Sequence, residues 1–165
     1  NDVLELSRIE SGNMSFHCED CSAHHFAETV YQTHQVIILP PVEFIKEFPD
    51  EDVTIHIDRM RLTQVITNFL GNAKKFTSQG HIKLGYFCDK EKKEIHFFVE
   101  DTGAGIPKEE LQMIFERFYK RNEFVQGVGL GLAISKVIVE KMNGHIDVQS
   151  EVNKGSRFTA VLPYL

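Results

Sequence analysis

Positive charge is scarce in this chain: 18 lysines and arginines stand against 24 aspartates and glutamates, a formal net charge of −6. Binding nucleic acid without sequence preference takes a basic face, so that class is argued against. Cysteine is equally sparse. Cys18, Cys21 and Cys88 are the only three, too few and too odd for a disulfide framework, which makes a reducing compartment the default. No apolar run approaches the roughly 20 residues of a membrane-spanning helix, and nothing at the start has the form of a cleaved signal. An initiator methionine is missing too: the chain opens at Asn1 and reads as a fragment of a longer protein. Repeats, low-complexity tracts and internal linkers are absent.

What is present suits a soluble globular domain with a sizeable core: 165 residues, 42% hydrophobic and 25% charged. "NDVLELSRIESG" spaces Val3, Leu4, Leu6 and Ile9 as an amphipathic helix closed by Gly12. A strand is predicted over 14–20, a helix over 22–38 stopped by Pro40-Pro41, and strands in "VEFIKEF" and "DEDVTIHI". Asp58 precedes "RMRLTQVITNFLGNAKKF", where Leu62, Val65, Ile66, Phe69 and Leu70 recur at helical spacing. Strands follow at 81–88 and 94–100, a short helix at 107–115, a loop at about 119–128, the helix "GLAISKVIVEKM" and two closing strands. That order predicts an α+β, two-layer fold: a mixed, mostly antiparallel sheet with helices on one face.

"HCEDCSAHH" at 17–25 sets C-x-x-C before two histidines, a zinc-like pattern. The spacing is too tight for a Cys2His2 module and no second knuckle follows. A strand running into a helix capped by Ser22 is the better reading.

Two glycine turns carry the chemistry. Asp101 follows the apolar run "IHFFVE", so its carboxylate lies at the edge of a core and needs hydrogen bonds. An exocyclic amine such as adenine N6 would supply one, and Gly103 and Gly105 would let backbone approach a flat ring. The second turn, Gly127, Gly129 and Gly131, has no acid and leads straight into a helix, an arrangement suited to phosphate. Asn68, Asn72 and Lys75 share one face of the preceding helix. An amide oxygen suits Mg²⁺, and the lysine would neutralise a terminal phosphate. No G-x-x-x-x-G-K-[ST] loop and none of the eukaryotic kinase loops occur to compete.

Taken in order, these motifs resemble the catalytic, ATP-binding domain of sensor histidine kinases, whose Bergerat-type fold is shared with gyrase, Hsp90 and MutL. "NFLGNAKKFT" is similar to the N box, "DTGAGI" to the G1 box, "FERF" to the F box and "GVGLGLAI" to the G2 box. The resemblance covers nearly the whole chain. "LSRIESG" is similar to the end of a dimerisation and phosphotransfer helix, which implies a division into 1–12 and 13–165.

By this resemblance Asp101 takes the adenine amine, Gly103, Gly105 and Ile106 shape its turn, and Phe76 walls its side. Asn72 is the Mg²⁺ ligand and Lys75 reaches phosphate. Asn68 and Lys120 complete the catalytic set, while Gly127, Gly129, Leu130 and Gly131 form the phosphate end. Phe115 and Phe118 would anchor a lid at about 121–126, shorter than in many relatives. Lys120 departs from the arginine common there, giving a point charge in place of a fork. None of the eight histidines begins an H box, so this fragment is expected to bind ATP without phosphorylating itself. The resemblance further implies a response-regulator receiver domain as partner, a homodimer through the dimerisation helices, a cytoplasmic location and no direct membrane contact by this segment.

Two other readings stand beside the kinase. Hydrolytic clamps of the gyrase and Hsp90 type use a glutamate base one turn before the magnesium asparagine. Asn68 occupies that place, and an amide accepts no proton at neutral pH. The third reading is a degenerate nucleotide-binding interaction module.

Overall fold

Asp58 starts the longest of the described helices. Its backbone is extended, and Oδ1 accepts the Arg61 N–H at 3.1 Å, satisfying one of the donors that a helix start leaves open. From there Arg59–Phe76 runs as α3 and buries Leu62, Val65, Ile66, Phe69, Leu70 and Ala73. The computed structural model describes residues 2–12, 15–116 and 131–164. Before α3 come α1 (Asp2–Glu10), β1 (Glu19–Ser22), α2 (Ala23–Gln35), β2 (Val42–Glu47) and β3 (Thr54–Ile57). After it come β4 (Gly80–Asp89), β5 (Glu94–Asp101), a 3₁₀ turn at Lys108–Glu110, α4 (Gly131–Lys141), β6 (His145–Glu151) and β7 (Gly155–Pro163).

Among the described residues five strands form one sheet in the order β2-β4-β5-β7-β6, parallel only between β2 and β4. Alternation along β4, β5 and β7 sends Ile82, Leu84, Tyr86, Ile95, Phe97, Val99, Phe158, Ala160 and Leu162 to the core face. There Phe26 of α2 meets Phe97 edge-on at 5.3 Å and Phe69 of α3 lies 5.5 Å from Phe158. The opposite face carries ions: Lys83 bridges Glu47 and Glu100, and the Arg157 guanidinium lies 3.8 Å over the Phe98 ring. The predicted α+β layering is what forms, with the helices packed on one face.

Two local expectations change. Over 14–20 a strand was predicted, yet β1 begins at Glu19 and pairs with β3 in a separate two-stranded sheet. The segment ahead of it is claimed by α3: the His17 N–H donates to Asp58 Oδ2 at 2.9 Å, and Phe16 lies under the Arg61 guanidinium. The helix predicted over 107–115 is one 3₁₀ turn followed by further three-residue bonds, Met113 to Glu110 and Glu116 to Met113. Only Leu111, Ile114 and Phe115 there reach the core, too short a stripe to hold a regular helix. Ser22 does cap α2, accepting the His25 N–H at 3.0 Å, and β1 carries Cys21 into the core while Cys18 stays exposed.

Candidate functional site

The helix face that the core does not use belongs to α3. Asn68, Asn72 and Phe76 are half-buried along it at four-residue spacing, and Lys75 is exposed beside them. Burial of Phe69, Leu70 and Ala73 on the other side fixes this rotation of the helix, so the two amides and the aromatic ring come to one edge of the domain.

Asp101 is the last residue of β5, paired with Ile82 on one side and Ser156 on the other, and only 8% exposed. Burial pushes its carboxyl above the ordinary aspartate range, while N–H bonds from Gly103 and Ser156 pull it back toward the charged form. The Gly103 N–H donates to Oδ1 at 2.9 Å. The carboxylate is therefore oriented, and it keeps lone pairs to accept a further donor.

The turn after it permits no bulk. A Cβ on Gly103 would fall 2.3 Å from the Phe76 carbonyl oxygen. Gly105 has φ +73°, and a Cβ there would lie 2.1 Å from the Glu151 carbonyl oxygen. Those two approaches are hydrogen-bonded seams: Ala104 N–H donates to the Phe76 carbonyl at 3.2 Å, and Asn153 N–H to the Ala104 carbonyl at 2.7 Å. Ile106 N–H donates to Ser150 Oγ at 2.7 Å, and Ser150 Oγ donates to the Gly155 carbonyl at 3.0 Å. The turn is thus held between the end of α3 and the β6–β7 hairpin. Thr77 Oγ1 lies under it, buried and without a hydrogen-bond partner among the described residues. An unpaired buried hydroxyl costs about 1–3 kcal/mol, so the turn has polar capacity left for a ligand or water.

Thr77, Ser150, Asn153 and Ser156 were not singled out from sequence. The turn "EVNKGS" was the available signal, since it lies between two strands.

At the other end Gly131 begins α4, and the Asn68 amide reaches across to it. Phe115 is half-buried against the core with Lys136 Nζ 5.9 Å from its ring. Lys120, Gly127, Gly129 and Leu130, with Phe118, lie outside the described residues. The structure therefore brings Asn68, Asn72, Lys75 and Phe76 to one helix face, and Asp101, Gly103, Gly105 and Ile106 to the turn stitched to the end of that helix. Gly131 joins them from α4.

Known proteins resemble this chain in sequence and in fold. The chain is 34% identical over 169 residues to the sensor histidine kinase WalK of Bacillus subtilis, covering 99% of this chain and 28% of that protein. It is 36% identical over 169 residues to the sensor histidine kinase RcsC of Salmonella typhimurium, covering 99% and 18%. Against the sensor protein SrrB of Staphylococcus aureus it is 44% identical over 110 residues, covering 64% and 19%. The chain thus spans less than a third of the length of these relatives. Among solved structures, full-length ShkA in complex with AMPPNP superposes with a TM-score of 0.91 at 28% identity, over 99% of this chain and 35% of that one. The catalytic domain of the histidine kinase ThkA gives 0.79 at 28%, over 90% and 97%. Residues 57–165, from the end of β3 through α3, both glycine turns and the last strand, match the family described as histidine kinase-, DNA gyrase B- and HSP90-like ATPase, and the chain belongs to that family.

Proposed function

We propose that this chain is the ATP-binding catalytic domain of a two-component sensor histidine kinase, acting on a histidine of the preceding dimerisation domain. The observation that carries the reading is Asp101: a buried, oriented carboxylate at the end of β5, beside a turn that admits backbone but no side chain. Its spare lone pairs suit an exocyclic amine, and Phe76 flanks the ring that bears it. Asn72 fits Mg²⁺, which takes few protein ligands and would supply charge neutralisation at the phosphates. Lys75 adds a second positive charge, and Lys120 with the Gly127, Gly129, Leu130 and Gly131 turn is assigned to the phosphate end. In the transfer, an imidazole nitrogen bonds to the γ-phosphorus as the bond to the ADP oxygen breaks, and the imidazole proton is lost. The domain's share is positioning and charge stabilisation. Asn68 supports transfer over hydrolysis, because its amide offers no base to a water.

On the same reading residues 1–12 end the dimerisation helix, the parent is a homodimer, and its partner is a receiver domain. The setting is cytoplasmic, where ATP is; among the described residues no helix is long and apolar enough to cross a membrane. Calorimetric titration of ATP, with and without Mg²⁺, tests the pocket. The parent is expected to bind, Asp101→Asn to lose binding, and Asn72→Ala to bind with less dependence on Mg²⁺. A folded parent that binds no ATP would sink the kinase reading and favour an interaction module.

A further inference from the structure

The Asn68 side chain is occupied. Its Nδ2 donates to the Gly131 carbonyl at 3.1 Å and to Ser135 Oγ at 3.0 Å. An amide nitrogen carries two hydrogens, and both are spent on the first turn of α4. Ser135 is completely buried, so its hydroxyl has no water to turn to. Gly131 contributes its carbonyl rather than a gap: a Cβ there would sit 3.5 Å from Asn68 Cγ, an ordinary contact.

We propose that Asn68 is a positioning residue, a strut from α3 to the first turn of α4 that fixes the spacing between the two ends of the phosphate site. This rests on the nucleotide-binding reading above. Asn72 and Lys75 lie one and two turns further along α3. On that reading the phosphate end lies at the start of α4, since the N-terminus of a helix favours anionic oxygen. Asn68 ties these two places to each other through atoms on both helices. The geometry also says why an amide is required. A carboxylate at 68 would set acceptor against the Gly131 carbonyl oxygen and have no hydrogen to give, so the residue that would serve a hydrolytic base cannot also serve the strut. Asn68 therefore acts on the phosphates through α4, whereas the adenine turn is held by β5, the β6–β7 hairpin and the last residues of α3, about two turns beyond Asn68.

The test separates the two ends of the nucleotide. Parent, Asn68→Ala, Asn68→Asp, Ser135→Ala and the Asn68→Ala/Ser135→Ala double variant are titrated with Mg-AMPPNP by calorimetry and with adenosine by NMR chemical shift. Adenosine affinity is expected to stay within about 2-fold throughout, which also reports that each variant is folded. Mg-AMPPNP affinity is expected to fall about 5- to 10-fold in Asn68→Ala, the worth of one or two hydrogen bonds, and at least as far in Asn68→Asp. The double variant should be no weaker than Asn68→Ala, because both changes remove the same strut. Equal losses for adenosine and Mg-AMPPNP, or losses that add in the double variant, would overturn the strut. So would Asn68→Asp binding Mg-AMPPNP as the parent does. A parent that binds neither ligand removes the nucleotide reading itself, a result distinct from each of these.

Discussion

Burying a carboxylate weakens the folded protein wherever its partners do not offset the lost hydration. Asp101 has its pKa raised in the folded chain, with burial as the main cause and the neighbouring Glu100 adding to it. Between the unfolded and folded values the native state holds more protons than the unfolded one, so stability falls as pH rises through that window. Above the folded pKa the whole cost is present; below the unfolded value, near 3.8, there is none. Asp101→Asn keeps an oxygen for the Gly103 N–H and removes the charge. Without nucleotide the variant is expected to melt above the parent at pH 7 and together with it below about pH 3.5, beneath the ordinary aspartate range. Thermal melts across that range would show it, and a variant that melts well below the parent at pH 7 would mean the charge is compensated in full.

Among the elements, α1 packs against α4 and is tied to α3 by an ion pair. Arg61 pairs with Glu5 of α1, both side chains less than a fifth exposed, lies over Phe16 at 5.9 Å, and bonds Gln64 at 3.3 Å. Asp58 holds the linker from the same helix turn through His17. This is why the strand predicted over 14–20 could not be read correctly. Its alternation is real, but the donor at His17 is taken by a carboxylate 41 residues on, and no local pattern reports that. Asp58 and Ser22 were legible as caps because a cap acts within three residues. Arg61→Ala should cost about 1–2 kcal/mol in chemical denaturation, through a largely buried ion pair and lost packing, and should speed protease cleavage within 15–18. Unchanged cleavage there would show that Asp58 alone secures the linker.

For the molecule as a whole, sequence revealed the chemistry at the candidate site more readily than the connections that hold it. Asp101, the paired glycines and the Asn–Lys face stood out because each is a polar or glycine interruption of an apolar period. Ser150, Asn153 and Ser156 did not, since their partners lie across the sheet end, and the parallel pairing of β2 with β4 spans β3 and α3. The result is a site whose walls come from α3, β5, the β6–β7 hairpin and α4, elements that touch in the fold but are far apart in the chain. A ligand bridging them opposes global unfolding. At a hundredfold excess over its Kd it adds about 2.7 kcal/mol. For a chain of 165 residues that corresponds to a rise of about 5–10 °C in Tm. The parent with saturating Mg-ATP is expected to show this rise. Gly105→Ala, which forces a Cβ into the Glu151 carbonyl at positive φ, should melt lower and gain little from nucleotide, because it displaces the turn proposed to receive the base. Were the variant to gain as much as the parent, the nucleotide would be held elsewhere, and the turn after Asp101 would be a structural seam only.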